Sequence, residues 1–202
     1  SKYLAQFKDK PQIKGIRQVL HADSTPDGTC LGDSYVKSVQ LLGELGLSFD
    51  LCLRPTGLAD AWKLADKCPG TRLILDHCGN ADPKAWLSDS RRGDQKPDHA
   101  VDAWKKEIAE IAKRKNTLCK ISGIIARVTK EWSAADLAPI VNHCLDSFGP
   151  DRVIFGSDWP VCLLGAPLKD WTTALRQIVA NRPAEEQEKL FSKNAERYYR
   201  LT

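Results

Sequence analysis

The sequence contains no methionine among its 202 residues. Ser1 is therefore not a translational start that has kept its methionine. We expect the chain to be the downstream part of a longer protein, with residues 1–11 forming a helix-like lead. No apolar run approaches the length of a membrane span, and no signal peptide is recognisable. The resulting expectations are a cytoplasmic location and no membrane contact.

The seven cysteines never occur with the spacing Cys-x-x-Cys, and their number is odd. Both features argue against a disulfide framework and against a zinc knuckle. Cys52, Cys78 and Cys119 lie in or next to apolar runs that are typical of strands. We therefore expect reduced and mostly buried thiols.

Motifs of nucleotide binding and of common hydrolases are also missing. No strand-like run leads into Gly-x-Gly-x-x-Gly or a Walker loop, which counts against a nucleotide-binding sheet. Neither Gly-x-Ser-x-Gly nor His-Glu-x-x-His occurs, which counts against a serine hydrolase and a zincin. The net charge of +4 comes from basic residues spread along the chain, which argues against nucleic acid as a partner. The expected partner is a small-molecule substrate, and a homo-oligomer stays open.

One pattern occurs five times: a short apolar run, turn residues and an amphipathic stretch with helical spacing. The predicted strands cover residues 13–20, 48–54, 72–77, 117–122 and 152–158. The predicted helices cover residues 34–45, 58–68, 99–115, 134–148 and 169–180. This alternation predicts an α/β fold with a parallel sheet, either doubly wound or a barrel. A (β/α)8 barrel has eight such units, so three would precede Ser1.

Two residues stand at predicted strand ends, where parallel α/β folds place their chemistry. His77 ends the third run, and a period of two puts it with Leu73 and Leu75 on the face predicted to line the barrel interior. It is a candidate metal ligand, carbonyl-polarising donor or acid–base group, with a structural histidine as the alternative. Asp158 ends the fifth run beside Gly156. It is a candidate general base for water or a metal ligand, with a helix N-cap as the alternative.

Further side chains near these strand ends are candidate substrate contacts. Arg17 and Arg54 can hold a carboxylate through two hydrogen bonds, or form ion pairs within the protein. Lys120 is a lone charge inside the fourth run, so it either binds an anionic group or pairs with an acid. His21 follows the first run, and Trp159 follows the fifth.

Three motifs together resemble the amidohydrolase-related family known as amidohydrolase 2. Within it they resemble the lactonase branch, which contains the L-fuconolactonase-like, 2-pyrone-4,6-dicarboxylate lactonase-like and muconolactone hydrolase-like enzymes. The motifs are Leu-Asp-His-Cys-Gly-Asn at 75–80, Cys-Lys-Ile-Ser-Gly at 119–123 and Phe-Gly-Ser-Asp-Trp-Pro at 155–160. Gly-Ile-Arg at 15–17 and Leu-Arg-Pro at 53–55 fit the same pattern, and the resemblance extends over almost the whole chain.

The resemblance implies a distorted TIM barrel of the metal-dependent hydrolase type, with residues 1–202 as one domain that carries the fourth to eighth strands. It makes His77 the sixth-strand histidine, which polarises a carbonyl or lines the site. It makes Asp158 the eighth-strand aspartate, a general base or metal ligand, and Arg17 a fourth-strand arginine that can hold a substrate carboxylate. The implied reaction is hydrolysis of a small lactone, from a sugar acid or a carboxylated ring, by water that Asp158 activates.

One departure from the family pattern leaves the cofactor open. The family carries a His-x-His pair on its first strand, and this sequence contains none. Two possibilities follow: one divalent metal, zinc, held in part by His77 and Asp158 in the full-length protein, or hydrolysis without metal. A decarboxylase or amidase of the same superfamily and a non-catalytic degenerate barrel are the alternative functions. We expect the 202 residues alone to have little activity, because half of the site would lie upstream.

Overall fold

The computed structural model describes residue 3, residues 6 and 7, and residues 10–201. Their centre is a five-stranded sheet in which every strand runs parallel to its neighbours, in the order of the sequence. The strands are β1 (Gly15–Val19), β2 (Ser48–Cys52), β3 (Leu73–Leu75), β4 (Thr117–Ile121) and β5 (Val153–Phe155). The predicted lead at residues 1–11 falls mostly outside the described residues.

A helix follows each strand, so the predicted α/β alternation is confirmed. The helices are α1 (Asp33–Glu44), α2 (Ala59–Lys67), α3 (Asp89–Arg92), α4 (Val101–Ala112), α5 (Ala134–Phe148), α6 (Leu168–Ile178), α7 (Ala184–Glu188) and α8 (Asn194–Tyr199). Within the described ranges, no helix has both the length and the apolar character that a membrane crossing requires.

The helix ends show why these segments begin and end where they do. A capping box starts α5: the Ser133 side chain accepts from the backbone of Asp136, and the Asp136 carboxylate accepts from the backbone of Ser133. Gly46 and Gly149 follow α1 and α5 with φ of 70° and 72°, a conformation that glycine adopts without a steric penalty. The predicted end of the first helix before Gly46 is confirmed.

The two faces of the sheet differ in what covers them. Leu73 and Leu75 pack in the main core, between the sheet and the helices outside it. Ile74, Leu118 and Ile154 form a second, small apolar cluster on the opposite face, which we call the inner face. The prediction that Leu73 and Leu75 point to the barrel interior is therefore wrong. Successive side chains of β3 do alternate between the two faces, but Ile74 is the one that points to the interior.

The last helix contacts the inner face. Ala195, Tyr198 and Tyr199 of α8 pack against the inner-face cluster. The Asn194 side chain donates to the carbonyls of Pro150 and Val153 at 2.7 and 2.8 Å, which ties α8 to the start of β5. The C-terminal segment thus reaches the inner face from the amino-terminal ends of the strands.

All seven cysteines are free and buried. This confirms the prediction that the cysteines are mostly buried. Cys52 ends β2, Cys119 lies in β4 and Cys144 lies in α5, so their side chains are held by regular elements.

Candidate active site

His77 begins a left-handed turn directly after β3. The four residues from His77 to Asn80 have φ of 56°, 52°, 66° and 54°, and only the third is glycine. A residue with a side chain costs roughly 1–2 kcal/mol in this conformation. A run of three such residues persists only if their surroundings hold them in place.

Several hydrogen bonds hold the turn. The Trp104 indole donates to the carbonyl of Cys78 at 2.9 Å, and the Asn80 side chain donates to the carbonyl of Leu53 at 2.7 Å. The backbone amide of Gly79 donates to the carbonyl of Asp76 at 2.9 Å. The left-handed turn takes His77 out of the strand alternation, which is how the imidazole reaches the inner face although Leu75 points the other way.

The side chain of His77 lies next to those of Ser122 and Asp158. Its Nδ1 atom lies 3.0 Å from Ser122 Oγ and 3.9 Å from Asp158 Oδ2. The side chains of His77 and Asp158 are only 13% and 16% exposed. Together with Gly156 they line a cavity of about 300 Å³ at the carboxyl ends of the strands. The structure therefore brings both predicted catalytic residues together.

Asp158 is also held in a left-handed conformation, with φ of 55°. The short helical turn that follows it, Val161–Leu164, begins after Pro160 and has no side-chain cap. The alternative role of Asp158 as an N-cap is thus not supported by the structure. Its carboxylate faces the cavity instead.

Lys120 sits between two carboxylates on the inner face. Its Nζ atom lies 2.6 Å from Asp50 Oδ2 and 2.7 Å from Asp76 Oδ1. Burial alone would lower the pKa of Lys120, but these two acids raise it above its ordinary value. Burial raises the pKa of Asp50, and Lys120 opposes that shift. Of the two possibilities for Lys120, the structure shows pairing with acids.

Arg17 approaches the same network from β1. Its guanidinium lies 3.6 Å from Asp76 Oδ2, and its side chain is 51% exposed. Asp76 is fully buried, and this second oxygen makes no hydrogen bond. Arg17 and Lys120 both line the cavity, and Lys120 is paired with two carboxylates at short distance. Arg17 makes one long contact, so most of its N–H groups are available to a substrate.

The other predicted substrate contacts are not among the residues that line the cavity of His77 and Asp158. Arg54 braces the loop after β1, because it donates to the carbonyls of Ala22 and Thr25 and pairs with Asp27 at 2.6 Å. His21 is exposed and lines a separate cavity of about 450 Å³ together with Arg54. Trp159 is 65% exposed beside Asp158. Their roles in binding substrate stay predictions.

Sequence reasoning missed three members of the site: Asp50, Asp76 and Tyr199. Asp50 is a lone acid in an apolar run, and the argument that singled out Lys120 would have found it. Asp76 was placed on the face away from the cavity. Tyr199 lines the cavity from α8, and nothing in the local pattern around position 199 indicates that long-range contact.

The donors near His77 match the chemistry of a divalent metal in part. Atoms of Cys52, Asp76 and His77 lie within 4.8 Å of one another. They offer sulfur, oxygen and nitrogen, the three donor types of zinc sites. Asp76 Oδ2 is buried and has no hydrogen-bond partner among the described residues. Two cations adjoin this set, Lys120 and Arg17, and they oppose a metal ion by charge repulsion.

A model of the amidohydrolase family Amidohydro_2 matches residues 2–201. The chain belongs to that family. The match extends over nearly all of the sequence. The interpretation of the fold as an amidohydrolase-type TIM-barrel segment is confirmed.

Known relatives of this amidohydrolase include two sugar lactonases. It is 28% identical over 198 residues to the L-fucono-1,5-lactonase of Burkholderia multivorans, a match that covers 94% of this chain and 64% of the relative. It is 29% identical over 171 residues to the L-rhamnono-gamma-lactonase of Scheffersomyces stipitis, and that match covers 76% of this chain and 47% of the relative. The chain thus spans less than two thirds of the length of both relatives.

A crystal structure of an amidohydrolase from Burkholderia multivorans with bound zinc superposes with a TM-score of 0.85 at 25% identity. The superposition covers 100% of this chain and 69% of the other. A divalent metal therefore occurs in a solved relative of this fold.

Proposed function

We propose that this amidohydrolase is a hydrolase that opens a small lactone by water which Asp158 activates. The observation that carries the proposal is the meeting of His77 and Asp158, from the ends of two strands that are not neighbours, 3.9 Å apart in one cavity. Two left-handed backbone positions hold these side chains there. Strained conformations of this kind cluster at catalytic sites.

Asp158 acts as the general base. Its carboxylate takes a proton from a water molecule as the oxygen of that water attacks the lactone carbonyl carbon. The tetrahedral intermediate then collapses, the carbon–oxygen bond of the ring breaks, and Asp158 returns the proton to the leaving alkoxide. One water is consumed, and the product is a hydroxy acid that ionises at neutral pH.

His77 and Arg17 are assigned to polarising and holding the substrate. In the tautomer of His77 that carries its proton on Nε2, Nδ1 accepts from Ser122, and Nε2 can donate to the carbonyl oxygen of the substrate. Arg17 has free donors at the cavity and can bind a carboxylate or hydroxyl group of the substrate.

The substrate class is inferred from the relatives. The two curated relatives named above act, by their names, on a 1,5-lactone and a gamma-lactone of deoxy sugar acids. We assign a lactone of a sugar acid or of a small carboxylated ring to this site.

Where a divalent metal is bound, the residues that would hold it are Cys52, Asp76 and His77, whose donor atoms lie within 4.8 Å of one another. The metal would supply Lewis-acid polarisation of the carbonyl. The proton transfers assigned to Asp158 are the same with and without it.

The test is ring opening by the complete gene product, measured by the acid that is released. The panel holds sugar-acid 1,5- and 1,4-lactones, a pyrone carboxylate, an aryl amide and a hydroxybenzoate. We expect lactones to be opened, with kcat/KM reduced by roughly 10²–10⁴ in Asp158→Asn. Asp94→Asn is the matched control, because Asp94 lies on an exposed loop away from the site.

Three results would reject the proposal. Unchanged lactone hydrolysis in Asp158→Asn would remove the role of that carboxylate. Activity confined to the amide or the hydroxybenzoate would assign the site to amidase or decarboxylase chemistry, and no activity on any panel member would favour a non-catalytic barrel.

A further inference from the structure

Ser122 places a buried hydroxyl next to the imidazole of His77. The residue directly follows β4 and is fully buried, and its Oγ atom lies 3.0 Å from His77 Nδ1. In the part of the chain that the structure describes, this nitrogen is the one hydrogen-bond partner of the hydroxyl. Because Ser122 is closed off from solvent, water does not reach the hydroxyl as a second partner.

The backbone around Ser122 fixes the position of this hydroxyl. The amide of Ile124 donates to the carbonyl of Ser122 at 2.8 Å, and Gly123 between them has φ of 71°. At the end of the neighbouring strand β5, a methyl group at Gly156 would lie 3.2 Å from Ser122 Cβ. The glycine at position 156 thus leaves room for the Ser122 side chain.

The protons shared between the two groups decide the tautomer of His77. A neutral imidazole has one N–H group and one bare nitrogen, and a serine hydroxyl has one proton to donate. If Nδ1 carried the imidazole proton, Ser122 Oγ would accept it, and the serine proton would be left without an acceptor. A buried donor without an acceptor is costly, so the arrangement in which Ser122 donates to Nδ1 is favoured. The imidazole proton then lies on Nε2.

The same tautomer leaves the carboxylate of Asp158 free. Asp158 Oδ2 lies 3.9 Å from His77 Nδ1, which is beyond hydrogen-bond distance. A proton on Nδ1 would become a donor to this carboxylate after a small movement, and would engage the oxygen that is to take a proton from water. Because the Ser122 hydroxyl occupies Nδ1, Asp158 finds no donor at that nitrogen.

We propose that Ser122 is a positioning residue for His77, whose hydroxyl selects the tautomer with the proton on Nε2. It acts through His77 and does not touch the substrate. One hydroxyl thereby separates two roles: His77 donates to the carbonyl oxygen, and Asp158 accepts the proton of the water. The kinetic consequence rests on the proposed function, whereas the tautomer is a property of the free protein.

The tautomer is measured by ¹⁵N NMR of the imidazole nitrogens in the complete protein, labelled at histidine and freed of metal with a chelator. We expect His77 to show a bare Nδ1 and a protonated Nε2 at pH 8, where a histidine side chain is ordinarily neutral. The variant His77→Gln assigns these signals by removing them. In Ser122→Ala the tautomer with a proton on Nδ1 should appear, because the nearby carboxylate of Asp158 favours a proton on that nitrogen.

Kinetics on a lactone that the wild type opens measures the consequence for the reaction. We expect kcat of Ser122→Ala to fall about 10-fold with little change in KM, because the lost hydrogen bond supports a donor that acts in the transition state. Ser122→Cys keeps a weak donor at the same point, and its loss of kcat should be smaller.

Ser48→Ala is the matched control. Ser48 is as fully buried as Ser122, but its hydroxyl donates to the carbonyl of Lys14 at the amino-terminal end of the sheet. The same substitution there removes a buried hydroxyl without touching His77. This variant should keep both the tautomer and the kcat of the wild type.

A protonated Nδ1 in the wild type rejects the proposal, and so does an unchanged tautomer in Ser122→Ala. If the wild type opens no lactone, the proposed function fails, and the wild-type spectrum still decides the tautomer. If Ser122→Ala does not fold, the wild-type spectrum and the kinetics of Ser122→Cys decide, and wild-type kcat in Ser122→Cys together with a protonated Nδ1 would overturn the role of the hydroxyl.

Discussion

Gly123 lies directly against the imidazole of His77. A methyl group at position 123 would come within 2.5 Å of the His77 Cγ and Nδ1 atoms, and the φ of Gly123 is 71°. We expect Gly123→Ala to displace the imidazole and lower kcat by roughly 10-fold or more, since small misplacements of catalytic groups cost this much. Steady-state kinetics on the lactone identified by the panel measures it.

Gly28→Ala is the control for the backbone part of that effect. Gly28 has φ of 75°, and a methyl group there would have no atom within 4 Å. Both variants should lose roughly 1–2 kcal/mol of unfolding free energy from the left-handed conformation. Only Gly123→Ala should lose kcat, and equal kinetics in the two variants would contradict the assigned position of His77.

Replacing Lys120 should destabilise the fold strongly. Lys120→Met leaves Asp50 and Asp76 buried next to each other without their cation, and losing one partner of a buried pair costs about 3–5 kcal/mol. Lys113→Met removes a surface pair with Glu110 and should cost less than about 1 kcal/mol. Urea unfolding of both variants compares the two losses, and equal losses would argue against the network.

The deficit of Lys120→Met should depend on pH. Burial raises the pKa of Asp50, and Lys120 is the main group that opposes this rise. Without Lys120 the folded-state pKa lies further above the unfolded value of about 3.9, so the folded state binds more protons and its stability falls as pH rises through that raised pKa. The deficit should be larger at pH 8 than at pH 5. Parallel stability curves for wild type and variant over this range would contradict the prediction.

The left-handed turn predicts an unusual order of stability at position 80. Asn80→Ala and Asn80→Gly both lose the hydrogen bond to the carbonyl of Leu53. Alanine keeps the steric penalty of a φ of 54°, and glycine does not. We expect the glycine variant to be more stable than the alanine variant by about 1 kcal/mol in thermal or urea unfolding. The reverse order would show that the turn is not left-handed.

Arg17→Lys tests substrate binding apart from catalysis. Lysine keeps the charge but cannot form two parallel hydrogen bonds to a carboxylate. We expect KM to rise about 10-fold with little change in kcat, because Arg17 is 51% exposed and makes one long contact with Asp76. A fall in kcat at constant KM would instead place Arg17 in the chemical step.

Local sequence patterns were sufficient to predict the βα units. The apolar runs and helical periods, together with glycines such as Gly46, gave boundaries within a few residues of β1 to β5 and of the main helices. Lys120 could be flagged as a charge in need of a partner because a buried ammonium group without one is too costly.

The residues of the inner face could not be predicted. The alternation of side chains along a strand shows which residues share a face, but it does not show which of the two faces points inward. The positive φ values at His77, Cys78 and Asn80 also leave no signal in the amino-acid sequence, since none of these three residues is glycine. Tyr199 reaches the cavity from the far end of the chain, and only the packing of α8 reveals it.

The charges around the cavity have a consequence for product departure. Besides His77, three carboxylates (Asp50, Asp76 and Asp158) face two cations, Arg17 and Lys120. A sugar-acid lactone, the one of the two proposed substrate classes that carries no carboxylate, enters without opposing this excess of negative charge. Ring opening creates a new carboxylate next to Asp158, and like charges at such distances repel by a few kcal/mol in a protein site. Repulsion of the new carboxylate would thus promote release of the product. Inhibition by the product should therefore be weaker than the affinity of the site for the lactone ring would suggest.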